Sequence, residues 1–147
     1  MKCPAALCLA ALASSLVGAA PPRPGEIAVT VTNLRSAKGV VRACMTANSK
    51  IFPRCREDPA SYRVVVPAAD RVEFMFTGLK PGRYAVALLH DENGNGKADR
   101  TLGMMPREGF GFSRDAKVQM APPSFASAAF DYAGEATAIT IRMRYML

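Results

Sequence analysis

The chain is short of several things that would name an activity. It has one histidine, His90, and no tryptophan. A single imidazole excludes a multi-histidine metal centre and leaves any acid–base chemistry with one such group at most. Lysine and arginine number 19 against 12 acids, a formal charge of +7, yet there is no basic run. Arg35, Lys38, Arg42, Lys50, Arg63, Arg71 and Arg83 stand singly, without the aromatic platform that nucleic-acid binders interleave with their charge, so no nucleic-acid partner is expected. The charge suits solubility or weak attraction to an anionic cell envelope. Sustained helical periodicity is missing, which excludes helical bundles and alternating α/β folds.

The longest apolar run lies at the start. Ala5 to Val17 follows Lys2 and ends in small residues, the form of a secretory signal peptide over residues 1–19, cleaved after Val17-Gly18-Ala19. That run is shorter than the ~20 residues of a membrane helix, and nothing after it reads as a transmembrane segment. The expected location is secreted or periplasmic. Residues 20–25, containing "PPRPG", read as an extended, poorly ordered lead-in. Residues 26–147 read as one domain, because a chain of this length buries a single core. The leader takes Cys3 and Cys8 with it and leaves Cys44 and Cys55 in an oxidising compartment. A disulfide closing so short a loop is expected, contributing about 3 kcal/mol on the chain-entropy account. The alternative, a thiol pair on a metal, has no histidine or second cysteine pair beside it.

What the chain does have is β pattern. Ile27, Val29 and Val31 alternate with Ala28, Thr30 and Thr32. From Val40 to Thr46, an outward Arg42 puts Val41, Ala43 and Met45 inside and Cys44 outside, so a disulfide there pins an external loop. Ser61–Val66 and Arg71–Phe76 follow, then a turn at Pro81-Gly82. "YAVALLHD" is apolar without alternation and reads as a central strand covered on both faces, with Tyr84, Val86 and Leu88 inward. "SAAFDY" and "ATAITIRMRYML" complete an all-β, single antiparallel β-sandwich of about seven strands. The break in the rhythm is Asp91 to Phe125, about 35 residues where a loop of ~4 to 6 is usual. So long a loop is functional, stapled, or hides structure.

That loop opens with "HDENGNGKAD". Asp91, Asn93 and Asn95 fall at positions 1, 3 and 5 of a calcium loop, Gly96 at the sharp turn, the Lys97 carbonyl at 7 and Asp99 at 9. Position 12, where a bidentate Glu should close the site, is Leu102. Calcium would then be held weakly, in the ~10⁻⁴ to 10⁻³ M range of extracellular modules, unless Glu108 folds back. The blander reading is a polar turn, since Asn-Gly pairs tolerate positive φ. His90 ends an inward-facing series and reads as a satisfied rim histidine. An enzyme would have to use it with Asp91 and Glu108, or with Ser113, although no Gly-x-Ser-x-Gly elbow exists. Phe110 and Phe112 alternate with glycines and close the end of the sandwich or meet a ligand. Met104 and Met105 read as gap-filling contacts, without the clustering a copper site needs.

The stretches "GLKPGRYAVALLHDENGNGKAD", "GMMPREGFGFS" and "APPSFASAAF" occur in this order and spacing. They resemble a secreted bacterial family, the domain of unknown function numbered 2141, over nearly all of the chain after the leader. The resemblance implies an exported sandwich akin to transthyretin-like and carboxypeptidase-regulatory-like modules, and it implies no activity. The expectation is therefore a non-catalytic exported module that binds an envelope component or protein partner, with a weak calcium site in the 91–99 loop. A hydrolase using His90, Asp91 and Glu108 and a purely structural accessory domain are the competing readings.

Overall fold

The computed structural model describes residues 18–101 and 105–147, so most of the signal-peptide reading, and Leu102 to Met104, lie outside the described residues. Among the described residues the strands are β1 Ile27–Thr32, β2 Val40–Thr46, β3 Tyr62–Pro67, β4 Val72–Phe76, β5 Gly82–Asp91, β6 Gly109–Phe112, β7 Phe130–Tyr132 and β8 Thr137–Arg142. A three-stranded sheet has the order β4-β1-β8, and a second sheet runs β3-β2-β5-β6 with β7 also paired to β5. The all-β sandwich is as expected from the alternation. Two details differ. There are eight strands rather than about seven, and β1 and β8 pair parallel, Ile27 opposite Thr137 through Thr32 opposite Arg142. Parallel neighbours cannot be joined by a tight hairpin. Here they are the first and last strands, and the whole domain between them serves as the crossover.

The inward residues are those the period-two pattern selects. Ile27, Val29 and Val31 of β1 meet Phe74 and Phe76 of β4 and, across the layer, Val41, Met45, Val86 and Leu88. Each such side chain, fully buried, is stabilising by roughly 1.5–3 kcal/mol. β5 is buried along most of its length and supplies both faces, because a second cluster of Phe52, Ala85, Phe112, Ala116, Ala128 and Ala129 covers the outer side of its sheet. Cys44 and Cys55 are bonded with Cα atoms 5.9 Å apart, which holds the single turn Cys55–Glu57 on that same outer side.

The long-loop expectation needs correction. Residues 91–125 contain β6, antiparallel to β5 from Ala87–Phe112 to His90–Gly109, and just before it a return bend. In that bend the Thr101 N–H donates to the Met105 carbonyl and the Arg107 N–H to the Asp99 carbonyl. "SAAFDY" is likewise not one strand. Its first part belongs to α1, Phe125–Ala128, whose N-cap Ser124 accepts the Ser127 N–H. The proline-rich lead-in lies beside the outer face of the three-stranded sheet, where Ala20 to Pro22 share a shallow cleft with Ala28, Thr30 and Met75.

Gly39, at φ +68°, sits where a Cβ would come within 2.0 Å of the Asp91 carbonyl oxygen. Gly78 has the same φ with nothing within 4 Å. Gly78→Ala should cost about 1 kcal/mol, the left-handed penalty alone. Gly39→Ala should cost distinctly more, on the order of 3 kcal/mol, because backbone must also move. Denaturant midpoints at unchanged m-value measure both; equal losses would show that the contact at Asp91 carries no weight.

Candidate functional site

β5 sorts the two residues at its end onto opposite sides of the sheet. His90 points inward and is fully buried. Its Nε2 lies 2.8 Å from the Lys38 carbonyl, so that nitrogen carries the proton, and Nδ1 accepts from the Tyr145 hydroxyl at 2.8 Å. Tyr145 accepts in turn from the Arg35 N–H, and the Arg35 guanidinium covers its ring at 4.6 Å. Both imidazole nitrogens are spent on the fold. Ser113 is buried as well, donating to the Ala128 carbonyl and accepting the Val86 N–H. Neither residue faces the other, and neither faces Asp91 or Glu108, so the hydrolase arrangement is not assembled.

Asp91 points outward yet has no solvent exposure. Its Oδ2 accepts from Arg42 Nε at 2.6 Å and from the Gly96 N–H at 2.8 Å, and Oδ1 accepts the Asn95 N–H at 3.1 Å. Burial would raise its pKa, but the Arg42 and loop-amide hydrogen bonds outweigh burial and hold the carboxyl below its ordinary value. The loop is thus wrapped around Asp91 in the curve its spacing suggests. Asn93 and Asn95 turn their amide NH2 groups to Asp99, at 2.7 Å and at 2.9 and 3.0 Å. Their oxygens take the Asn95 and Lys97 backbone N–H groups. A cation would reach Asp99 only with those two amides rotated.

Glu108 completes the group. The last β5–β6 pair is His90 with Gly109, so Glu108, the residue just before β6, falls beside Asp91 on the outer side. Glu108 is 5% exposed; Oε2 accepts the Asp99 N–H at 3.1 Å, and Oε1 is buried with no hydrogen-bond partner. Its carboxyl is raised above the ordinary value, chiefly by burial and then by the Asp91 and Asp99 charges, with the Asp99 and Glu92 amides acting in the other direction. Among the described residues no three His, Cys, Asp or Glu side chains already converge as a metal cluster. The donors that gather at this end are three carboxylates, two side-chain amides and loop backbone, spread over the hairpin.

The remaining sequence-selected residues are placed elsewhere. Phe110 and Phe112 lie on the outer side of β6 and pack with Phe52 and Phe125 in the second cluster. Gly109 and Gly111, which alternate with them, face inward, where a Cβ on Gly109 would come within 2.3 Å of the Tyr145 ring. Lys97 is exposed at the loop tip. Arg42, which the sequence placed only on the outer side of β2, is the residue that reasoning missed. Two strands far apart in the chain bring it to Asp91, and only its outward register hinted at this.

The family model for an uncharacterized protein conserved in bacteria, domain of unknown function 2141, matches residues 29–140, and the chain belongs to that family. No curated protein and no solved structure matches the chain. No helix among the described residues is long and apolar enough to cross a membrane.

Opposed carboxyl shifts give a pH signature in cation-free protein. Glu108 titrates high when folded, so its contribution is fully present below the ordinary glutamate value of 4.5 and is lost as pH rises through the raised value. Asp91 and Glu92 titrate low, the latter because Arg35 and Ser36 outweigh burial; their contributions hold at neutral pH and are lost as pH falls through the lowered values. Glu108→Gln should therefore abolish the decline on the rising limb and leave the acid limb in place, as read by melting temperature against pH in chelator. An unchanged rising limb would place the decline elsewhere.

Proposed function

We propose that this protein is an exported, non-catalytic β-sandwich module that binds an envelope component or protein partner, and that a weakly held calcium ion organises its presenting loop. Asp91, Asn93, Asn95, the Lys97 carbonyl and Asp99 follow the ligand spacing, and Glu108 takes the role of the acid missing at position 12. The observation that carries the reading is Glu108 Oε1, a buried carboxylate oxygen without a donor, next to two aspartates. An unsatisfied buried charged group costs on the order of 3 kcal/mol, and a divalent ion between the carboxylates would relieve it. Hydrogen-bonded amides at Asp99 and an arginine at Asp91 must give way first, which fits low affinity rather than a tight sensor. Export is supported by the leader pattern and by the Cys44–Cys55 bond, of the kind oxidising compartments favour.

The enzyme reading lacks a free base, since His90 is enclosed and doubly bonded. A purely structural accessory role would leave Glu108 Oε1 without a reason. The test is a thermal melt of the mature protein with calcium and then with chelator. At 100 times the dissociation constant, calcium should add about 2.7 kcal/mol. Asp91→Ala and Glu108→Gln should each remove that gain, while magnesium, which demands stricter octahedral geometry, should give little. Identical melts with calcium and chelator would refute the ion.

A further inference from the structure

The two features that stand out in the sequence, the cysteine loop and the acidic loop, border one pocket. On the outer side of the five-stranded sheet, Arg42 lies opposite Val65 and Cys44 opposite Arg63. The disulfide at Cys44 sets the Cys55–Glu57 turn over this face, bringing Arg56 and Glu57 to the rim. Gly96 of the acidic loop forms the far wall, where a Cβ would sit 3.9 Å from the Arg42 guanidinium. The depression is open to solvent, with a volume of about 460 Å³, within the ~300–1,000 Å³ of small-ligand sites. Three guanidinium groups and one carboxylate, Glu57, line it, with Val65 left 55% exposed as an apolar wall.

The charges are not balanced within the protein. Among the described residues Arg56 and Arg63 form no ion pair, and Arg63 spends only Nη1, on the Arg56 carbonyl. Arg42 is the shared member, held by Asp91 at the pocket's edge. Guanidinium forks match tetrahedral and planar oxyanions bidentately, and a dianion outcompetes the single Glu57 for three of them. We propose that this pocket binds a phosphate-bearing ligand, the phosphate on Arg42, Arg56 and Arg63 and an attached apolar group against Val65. On the calcium reading above, an ion that takes Asp91 releases Arg42 to the phosphate, so calcium and phosphate bind with positive coupling.

Calorimetric titration of the mature protein with phenyl phosphate tests this, in calcium and in chelator, alongside flotation with phosphatidylglycerol or phosphatidylcholine vesicles. Saturable one-to-one binding of phenyl phosphate, weakened roughly tenfold or more by Arg63→Gln and by Arg56→Gln at unchanged melting temperature, supports a free phosphate ligand. Flotation with phosphatidylglycerol vesicles only, with the same arginine dependence, supports a lipid headgroup as the source. Calcium should tighten binding roughly fivefold or more. Absence of binding to either probe, or binding indifferent to both arginine variants, overturns the pocket. Arginine-dependent binding that calcium leaves unchanged, in protein whose melt responds to calcium, overturns the coupling alone. If the melt shows no calcium response and phenyl phosphate still binds through the arginines, the calcium reading fails and the pocket stands.

Discussion

Asp91 is the group on which the charged end of the sandwich depends. A carboxylate with no solvent exposure must be compensated on the spot, and four separate pieces of chain do it or are placed by it. β2 contributes Arg42, and the loop contributes the Asn95 and Gly96 amides. Gly39 packs its bare Cα against the adjoining backbone, and β6 runs antiparallel just beyond to set Glu108 alongside. Because β5 alternates, the same strand end sends His90 the other way, into a bonded network with Tyr145 and Lys38. The inner side of the strand end is thereby fixed, and the outer side is where charge is concentrated.

That outer side has an arrangement in which one cation already serves one of the acids. Arg42 satisfies Asp91, whereas Glu108 is left with a buried oxygen that has no hydrogen-bond partner. The asymmetry explains why the carboxyls shift in opposite directions although burial acts to raise both. It also links the acidic loop to the arginine-lined pocket beside it, since Arg42 borders both. The disulfide turn, which lies outside the main core cluster, carries Arg56 and Glu57 over the sheet.

Strands with strict alternation were legible in the sequence because one face meets the core and the other water, as in β1, β4 and β8. β6 was not. "GFGF" has glycine where a strand should have inward side chains, and the reason is tertiary: Tyr145 and Ile141 occupy the space a Cβ would fill. The four-residue α1 is too short for any period to show. In the loop, ligand spacing is local and could be read directly, down to Glu108 as the acid that would have to return. The route of its return, a bend at Arg107 followed by β6, is set by pairing with β5 and leaves no local mark. Arg42 was hidden for the same reason, one of several scattered basic residues until β2 and β5 are set in register.

In the proposed site, Glu108 closes the 91–99 loop around an ion. The most direct measurement is a calcium titration of the mature protein followed by side-chain carboxyl carbon shifts in NMR. Asp91, Asp99 and Glu108 should move together and saturate at one equivalent, while Glu57 and Asp131 stay still. Movement of the two aspartates with Glu108 unchanged, or no saturable movement of any of the three, would contradict it.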